Sequence, residues 1–457
     1  MTDKPTRRAA LLIAVISSFL IPFVSSAVNV ALPTIGKEFG CNALTLGWIT
    51  TSYLLASAAF LVPFGRLSDI HGRKKLLKCG MSIYVVASLL CIISHSASFL
   101  IISRCLQGVG AAMFFAPSLA ILVSVFPESE RGKALGISIA SVYLGLSAGP
   151  SIGGLMTQQV GWRSIFIVNA VLGAVVIIII YAKLKGEWVG TKGESFDLPG
   201  SLIYSLVLVA TIYGFSHLSE TIGPWLFGAG VLGLIVFIAF ERRQQSPVIN
   251  VRLFAGNRVF ALSNVAALIN YSATAAIVFL LSLYLQAIKG LDPQDAGLIM
   301  LWQPITQALV SPFAGRLSDR AEPRIVASVG MFLTAVGLVF LAFLDDVTSL
   351  YHVRAILILL GFGFALFSSP NTNAVMSSVD KKLYGFASAT VSTFRLVGMT
   401  LSMGIVMLLI AIYVGEAELM AESQDQFLTV LRVSFTVFAV LCALGIFASL
   451  GRGRVRT

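Results

Sequence analysis

Two arginines stand inside apolar runs where charge is expensive. Arg104 lies in the run 98–123 and Arg395 in the run 384–412, each several helical turns from either end. A guanidinium at that depth is by default a functional residue, holding a substrate, water or helix carbonyls. Arg104 is followed by Gln107, Gly108 and Gly110. The amide lies one helical turn on, on the same face, and the glycines suit close helix packing. The other polar residues inside apolar runs are Asn29, Tyr53 and Tyr143 in the first half, and Asn264, Asn270, Gln303, Gln307, Asn371 and Asn373 in the second. With Arg395 they are the candidates to line a substrate cavity, which is mostly apolar with a few placed polar groups. Each equally suits a helix–helix hydrogen bond, worth about 0.6 kcal/mol in membranes. Gln303 and Gln307 share one helix face. Asn371 and Asn373 follow Pro370, where a broken turn would free carbonyls.

The elements that position these residues follow from composition. Of 457 residues, 57% are hydrophobic and 12% charged, about half the charge of a soluble domain. That excludes an ordinary soluble enzyme and a nucleic-acid-binding module. Five scattered cysteines, without CxxC or Cys/His spacing, support neither disulfides nor a metal; no metal or cofactor is expected. Continuous apolar runs of about 20 residues predict transmembrane helices. Fourteen are expected, near 9–32, 45–65, 77–95, 98–123, 133–158, 163–182, 199–217, 224–240, 258–285, 294–315, 325–344, 353–375, 384–412 and 427–449. The first is read as a permanent span rather than a cleaved signal.

Lysine and arginine test this layout. Twenty-five of the 32 fall in loops on the side of the N-terminus, five on the other, and two inside spans. By the positive-inside rule the first side is the cytoplasm and both termini lie there. The +11 net charge is therefore a topology signal and implies no nucleic acid.

The pentapeptide Gly65-Arg66-Leu67-Ser68-Asp69 recurs as Gly315-Arg316-Leu317-Ser318-Asp319, each at the end of a span. Such a repeat marks a transporter built from two related halves. Six spans fill residues 9–182, so the 250-residue interval implies two inserted spans: an N-terminal six-helix bundle (1–185), an inserted pair with linkers (186–257) and a C-terminal bundle (258–457). After the first copy, Gly72 and Arg73 continue a tight basic loop. There Asp69 is placed to cap the next helix, and Arg73 to pair with Glu128 or Glu130 as a latch. Positive-inside charge plus a turn accounts for the same residues equally well. A third motif, Gly145-x3-Gly149-Pro150-x2-Gly153-Gly154, combines small residues for close approach with a helix-kinking proline.

Together these motifs resemble the major facilitator superfamily, and within it the fourteen-span drug:proton antiporters of the QacA/EmrB type. Gly65–Lys75 is similar to the cytoplasmic gate motif. Arg104–Gly110 is similar to the fourth-span motif associated with proton coupling, and Gly145–Gly154 to the antiporter motif. Gly161–Phe166, Ser282–Gln286 and Phe196–Gly200 are also similar to this branch. The resemblance implies an all-α fold of two bundles about a central cavity. It also implies multidrug export across the plasma membrane by alternating access, coupled to protons, from a monomer with no enzymatic activity. One departure stands out. The branch carries an aspartate nine residues before the proline of V-N-V-A-L-P; here that position is Val24. All 21 acids fall in loops or at span ends, and so do the four histidines. A buried carboxylate is the group best suited to exchange a proton for a cation. Its absence predicts neutral, zwitterionic or anionic substrates. The competing expectations are a dedicated exporter or uniporter of one endogenous neutral or anionic metabolite or lipid, and an integral-membrane enzyme.

Overall fold

A computed structural model describes residues 4–190, 195–244, 247–249, 251–380, 384–415 and 424–453, with the side chains of 128, 129, 132, 133, 139, 252, 319, 384 and 385 outside the description. Every regular element among the described residues is helical. The first half holds α1 (Lys4–Phe39), α2 (Ala43–His71), α3 (Arg73–Ile92), α4 (Ala97–Val125), α5 (Glu128–Gln159) and α6 (Arg163–Lys183). Then come α7 (Leu198–Ser216) and α8 (Gly223–Glu241), followed by a short α9 (Val251–Gly256). The second half holds α10 (Arg258–Thr274), α11 (Ile277–Leu283), a π turn (Tyr284–Ile288), α12 (Pro293–Met300), α13 (Trp302–Arg320), α14 (Pro323–Ala342), α15 (Leu350–Ser377), α16 (Tyr384–Tyr413) and α17 (Gln424–Gly451).

Thirteen stretches are long and apolar enough to cross a bilayer, α10 through the π turn counting as one. The expected span at 294–315 is not among them. It is split into α12 and α13 at Leu301. Pro304 has no N–H to give the Met300 carbonyl, so the helical ladder fails there. Gln303, Thr306, Gln307 and Ser311 lower the apolar content of α13. The count of fourteen thus exceeds what length and hydropathy support in the structure.

The sequence repeat reappears in the packing. In the first half α1 packs on α5 and α6, α4 on α2 and α3, and α3 on α6. In the second, α10 packs on α16 and α17, α15 on α13 and α14, and α14 on α17. These are the same partnerships, with α10 in the place of α1 and α13 to α17 in the places of α2 to α6. The contacts between halves exchange symmetrically as well: α5 meets α12, and α16 meets α2.

That seam closes near the turns at 40–42, 160–162 and 289–292. A Cβ on Gly154 would stand 2.2 Å from the Pro293 carbonyl oxygen, and one on Gly297 would stand 2.1 Å from that of Pro150. Only glycine permits this approach of two backbones. Gln286 Nε2 donates to the Val30 carbonyl at 2.9 Å, and Gly47 faces Met407. The inserted helix α7 lies against both halves, through α2 and α16. Tyr204 and Ser205 donate to the Ala58 and Ala59 carbonyls at 3.1 and 2.8 Å, while His217 stacks on Trp48 and Tyr213 meets it at a tilt. Most of α8 faces outward.

Candidate functional site

Arg104 is fully enclosed in α4. Its Nη1 donates to Gln107 Oε1 at 2.5 Å and its Nε to the Ile49 carbonyl at 3.3 Å. The guanidinium stands 4.2 Å from the Tyr53 ring centroid, a cation–π geometry. Gln107 passes the connection on, donating to Ser88 Oγ at 2.8 Å. Gly108 and Gly110 let α4 press against the backbones of α2 and α3, where Cβ atoms would come within 2.5 Å of the Tyr53 carbonyl oxygen and 2.7 Å of Tyr84 N. The first-half arginine is thus held by an amide, a carbonyl and a ring, while its Nη2 has no hydrogen-bond partner.

Arg395 has a different setting. It is half-buried in α16, 4.9 Å from the Tyr271 ring centroid, and its Nε has no hydrogen-bond partner. Tyr143 of α5 is within electrostatic reach of Arg395 and Tyr271. The Tyr143 hydroxyl meets Ser368 Oγ of α15 at 3.2 Å, joining the two halves. The structure therefore gathers a cation, two phenols and a serine hydroxyl from α5, α10, α15 and α16. The sequence reading singled out Tyr143 and Arg395 and missed Tyr271 and Ser368. Tyr271 was within reach as the neighbour of Asn270; an isolated serine gives no signal.

The remaining candidates are spread out. Asn29 accepts from Thr50 at 2.8 Å between α1 and α2. Asn264 turns back to the Phe260 carbonyl of its own helix. Asn270 is buried, with Nδ2 unpartnered. Gln303 Nε2 donates to Gln307 Oε1 at 3.1 Å on α13. Helix α15 continues across Pro370. Asn371 there accepts from Arg452 Nη1 at 2.7 Å and donates to the Ser263 carbonyl at 3.1 Å. Asn373 donates to Ser318 Oγ at 3.1 Å. Arg452, counted in the sequence among loop cations, is fully buried and also donates to the Pro323 carbonyl at 2.9 Å. It ties the end of α17 to the loop following the second gate copy. A separate cavity of about 440 Å³, lined in part by Leu298, Trp302, Leu350 and Arg354, opens beside the α12–α13 break.

At the first gate loop, Gly72 links α2 to α3 with φ of 116°, a region that favours glycine. Asp69 pairs with Arg73 at 2.7 Å, and Arg73 Nη1 donates to Ser124 Oγ at 2.7 Å. Arg73 thus takes Asp69 as its carboxylate, within its own loop, rather than Glu130; the Glu128 side chain lies outside the described residues. The carboxylate at the start of α3 is Glu187, which accepts from Lys74 N at 2.7 Å. The segment after α6 brackets the loop, with Arg73 N donating to the Trp188 carbonyl at 2.9 Å and Gly190 N to that of Asp69 at 2.8 Å. Gly65 leaves ordinary space to Ala116, and Gly315 faces Ser369 within its own half. The Asp319 side chain lies outside the described residues.

The antiporter-like string in α5 splits its glycines between two partners. Gly145, Gly149 and Gly153 face α1, at Phe19, Ser26 and Ala27, while Gly154 faces α12. Pro150 presents its carbonyl to Gly297. Trp162 and Arg163 anchor on Glu38, at 2.6 Å and 2.7 Å, fastening α6 to the end of α1. Val24 is buried in α1.

Comparisons with known proteins agree with this architecture. The Major Facilitator Superfamily model matches residues 14–256 and 264–456. The chain is 32% identical over 388 residues to the riboflavin transporter RibZ of Clostridioides difficile, covering 84% of each protein. It is 30% identical over 414 residues to the multidrug resistance protein Stp of Mycobacterium tuberculosis, covering 88% of this chain and 75% of that protein. It is 30% identical over 385 residues to the methyl viologen resistance protein SmvA of Salmonella typhimurium, covering 83% and 77%. A solved bacterial homologue of the lysosomal transporter Spinster, inward-facing and unoccupied, shares the fold with TM-score 0.72 at 16% identity, over 99% of this chain and 98% of that one. With its repeated helix partnerships and a seam between two halves, the chain belongs to the Major Facilitator Superfamily of membrane transporters.

Proposed function

We propose that this chain exports small amphipathic compounds, neutral, zwitterionic or anionic, by alternating access coupled to proton influx. The observation that carries the reading is Arg395, a half-buried cation beside Tyr143 and Ser368 at the seam of the two halves. A cation flanked by hydroxyls favours an anionic or polar neutral group and repels a dication. The seam is drawn together near the turns at 40–42, 160–162 and 289–292, while the first gate loop bonds within its own half. That asymmetry suits one open face and one closed face, as rocking of two bundles requires.

The same reading assigns the chain to the fourteen-span QacA/EmrB branch. The α12–α13 pair serves as the tenth crossing, giving six, two and six spans within the bounds 1–185, 186–257 and 258–457. Both termini are cytoplasmic, and the monomer sits in the plasma membrane. Asp69, Arg73 and the corresponding Asp319 work as the gate, Arg104 with Gln107 as the coupling element, and α5 as the closing helix. The relative named for multidrug resistance supports export of several compounds. The one named for methyl viologen resistance supports export as well, but methyl viologen is a dication, so the charge class proposed here rests on Arg395 and departs from that relative.

The test is internal pH in proteoliposomes carrying an imposed proton gradient, challenged with cationic, neutral and anionic compounds. Proton movement is expected with the neutral and anionic members. A response to dications alone would defeat the charge assignment, and substrate exchange without proton movement would defeat the coupling. A second reading, one dedicated neutral or anionic metabolite, is favoured by the 32% identity to a protein named as a riboflavin transporter. Resistance to a single class of compound on overexpression would select it.

A further inference from the structure

The inserted pair α7–α8 carries a cluster that the transport reading leaves unused. Asp197 caps α7, with its Oδ1 accepting from Gly200 N at 2.9 Å. Glu241 ends α8 and is 2% exposed, and its Oε2 accepts from Ile249 N at 3.2 Å. Each carboxyl therefore commits one oxygen to backbone. The other two oxygens, Asp197 Oδ2 and Glu241 Oε1, are both buried and have no donor. They also converge: a Cβ placed on Gly200 would stand 2.3 Å from the first and 2.7 Å from the second.

Two ionised carboxylates cannot share such a pocket at low cost. The second oxygen of each lacks a donor, and the like charges repel. One proton removes both penalties. The protonated carboxyl donates to its neighbour, both orphaned oxygens gain a partner, and a single negative charge remains. That charge lies within electrostatic reach of Arg66, from the gate repeat at the end of α2; from the segment after α8, the facing groups are the backbone amides of Val248 and Ile249. We propose that Asp197 and Glu241 form a proton-binding site that holds one shared proton at the foot of α7 and α8. Losing that proton to solvent leaves two facing carboxylates and pushes the helix ends apart. Because α7 is fastened to α2 through Tyr204 and Ser205, the strain falls on the helix that carries the gate motif. The site matters in a chain whose sequence places no acid in the middle of a span.

The experiment is infrared difference spectroscopy of the full-length protein in lipid nanodiscs, titrated from about pH 5 to 9. Exposed carboxylates, with pKa values of about 4, are ionised throughout most of that range. One protonated carboxyl per chain is expected near neutral pH, vanishing as the pH rises. Glu241→Gln and Asp197→Asn should each abolish it, since an amide donates to the remaining carboxylate without titrating. If a variant does not fold, the wild-type titration decides alone. No protonated carboxyl near neutral pH, or one that survives both substitutions, overturns the proposal. Loss of the signal on adding sodium at constant pH also overturns it, because the pair would then be a metal-cation site. The readout needs no transported compound, so failure of the transport reading leaves it intact.

Discussion

Arg104 and Arg395 both sit mid-helix in a membrane chain, yet their surroundings assign them different work. Arg104 is enclosed, with Gln107 and the Ile49 carbonyl accepting two of its bonds and the Tyr53 ring against its plane, all within its own half. Arg395 is half-buried, holds no acceptor on its Nε and lies within electrostatic reach of Tyr143 from the other half. A guanidinium bonded within its own half holds the helices of that half together, as a coupling element there must, and the Nη2 of Arg104 is left for a further partner. One left incompletely satisfied between two halves is available to a ligand. Depth in the membrane is the same kind of cost for both, and the number of partners separates their roles.

The largest effect is expected from Arg104→Ala. It empties a packed site and strips Gln107 and the Ile49 carbonyl of a donor, for a loss of about 3 kcal/mol. The melting temperature in detergent should fall markedly, and an unchanged value would erase the distinction between the two arginines. Next comes Arg395→Ala. Removing a charged donor from a bound substrate should raise KM about tenfold or more, with little change in melting temperature; Arg395→Lys should recover part of the affinity. Transport assays with neutral and anionic compounds check this, and a collapse of stability instead would make Arg395 a second structural cation.

The tyrosines sharpen the contrast at smaller amplitude. Tyr143→Phe removes the hydroxyl contact to Ser368 between the halves, worth about 1 kcal/mol or roughly fivefold in the balance of conformers. Spin-label distances across the seam would report it. Tyr53→Phe should change almost nothing, because the hydroxyl has no partner and the ring that holds Arg104 is retained. If Tyr53→Phe proved as damaging as Tyr143→Phe, Tyr53 would belong to a hydroxyl relay rather than a packing shelf.

Parts of this were legible before any coordinates. The apolar runs, the two-half repeat and the Arg104–Gln107 pair are local patterns, and a local pattern survives in the order of residues. The interruption at Leu301 was half legible, since Pro304 marks it, but a hydropathy window averages over a single missing hydrogen bond. Asn371 illustrates the opposite case. Its position after a proline suggested an open turn, whereas Arg452, 81 positions away, holds it in place. Glu187 at the start of α3 is likewise 113 positions from Lys74, and no short-range rule connects them.

What the sequence determined by itself is the membrane as solvent, the basic bias of one set of loops and the relatedness of the two halves, because hydropathy, charge and repetition are properties of the chain alone. The tertiary structure decided which arginine is sealed and which lies at the seam, which carboxylate serves each helix end, and that Asp197 and Glu241 bring bare oxygens together at Gly200. Those outcomes depend on how distant helices approach, and an approach as close as that of Gly154 to Pro293 is set by the packing of entire faces.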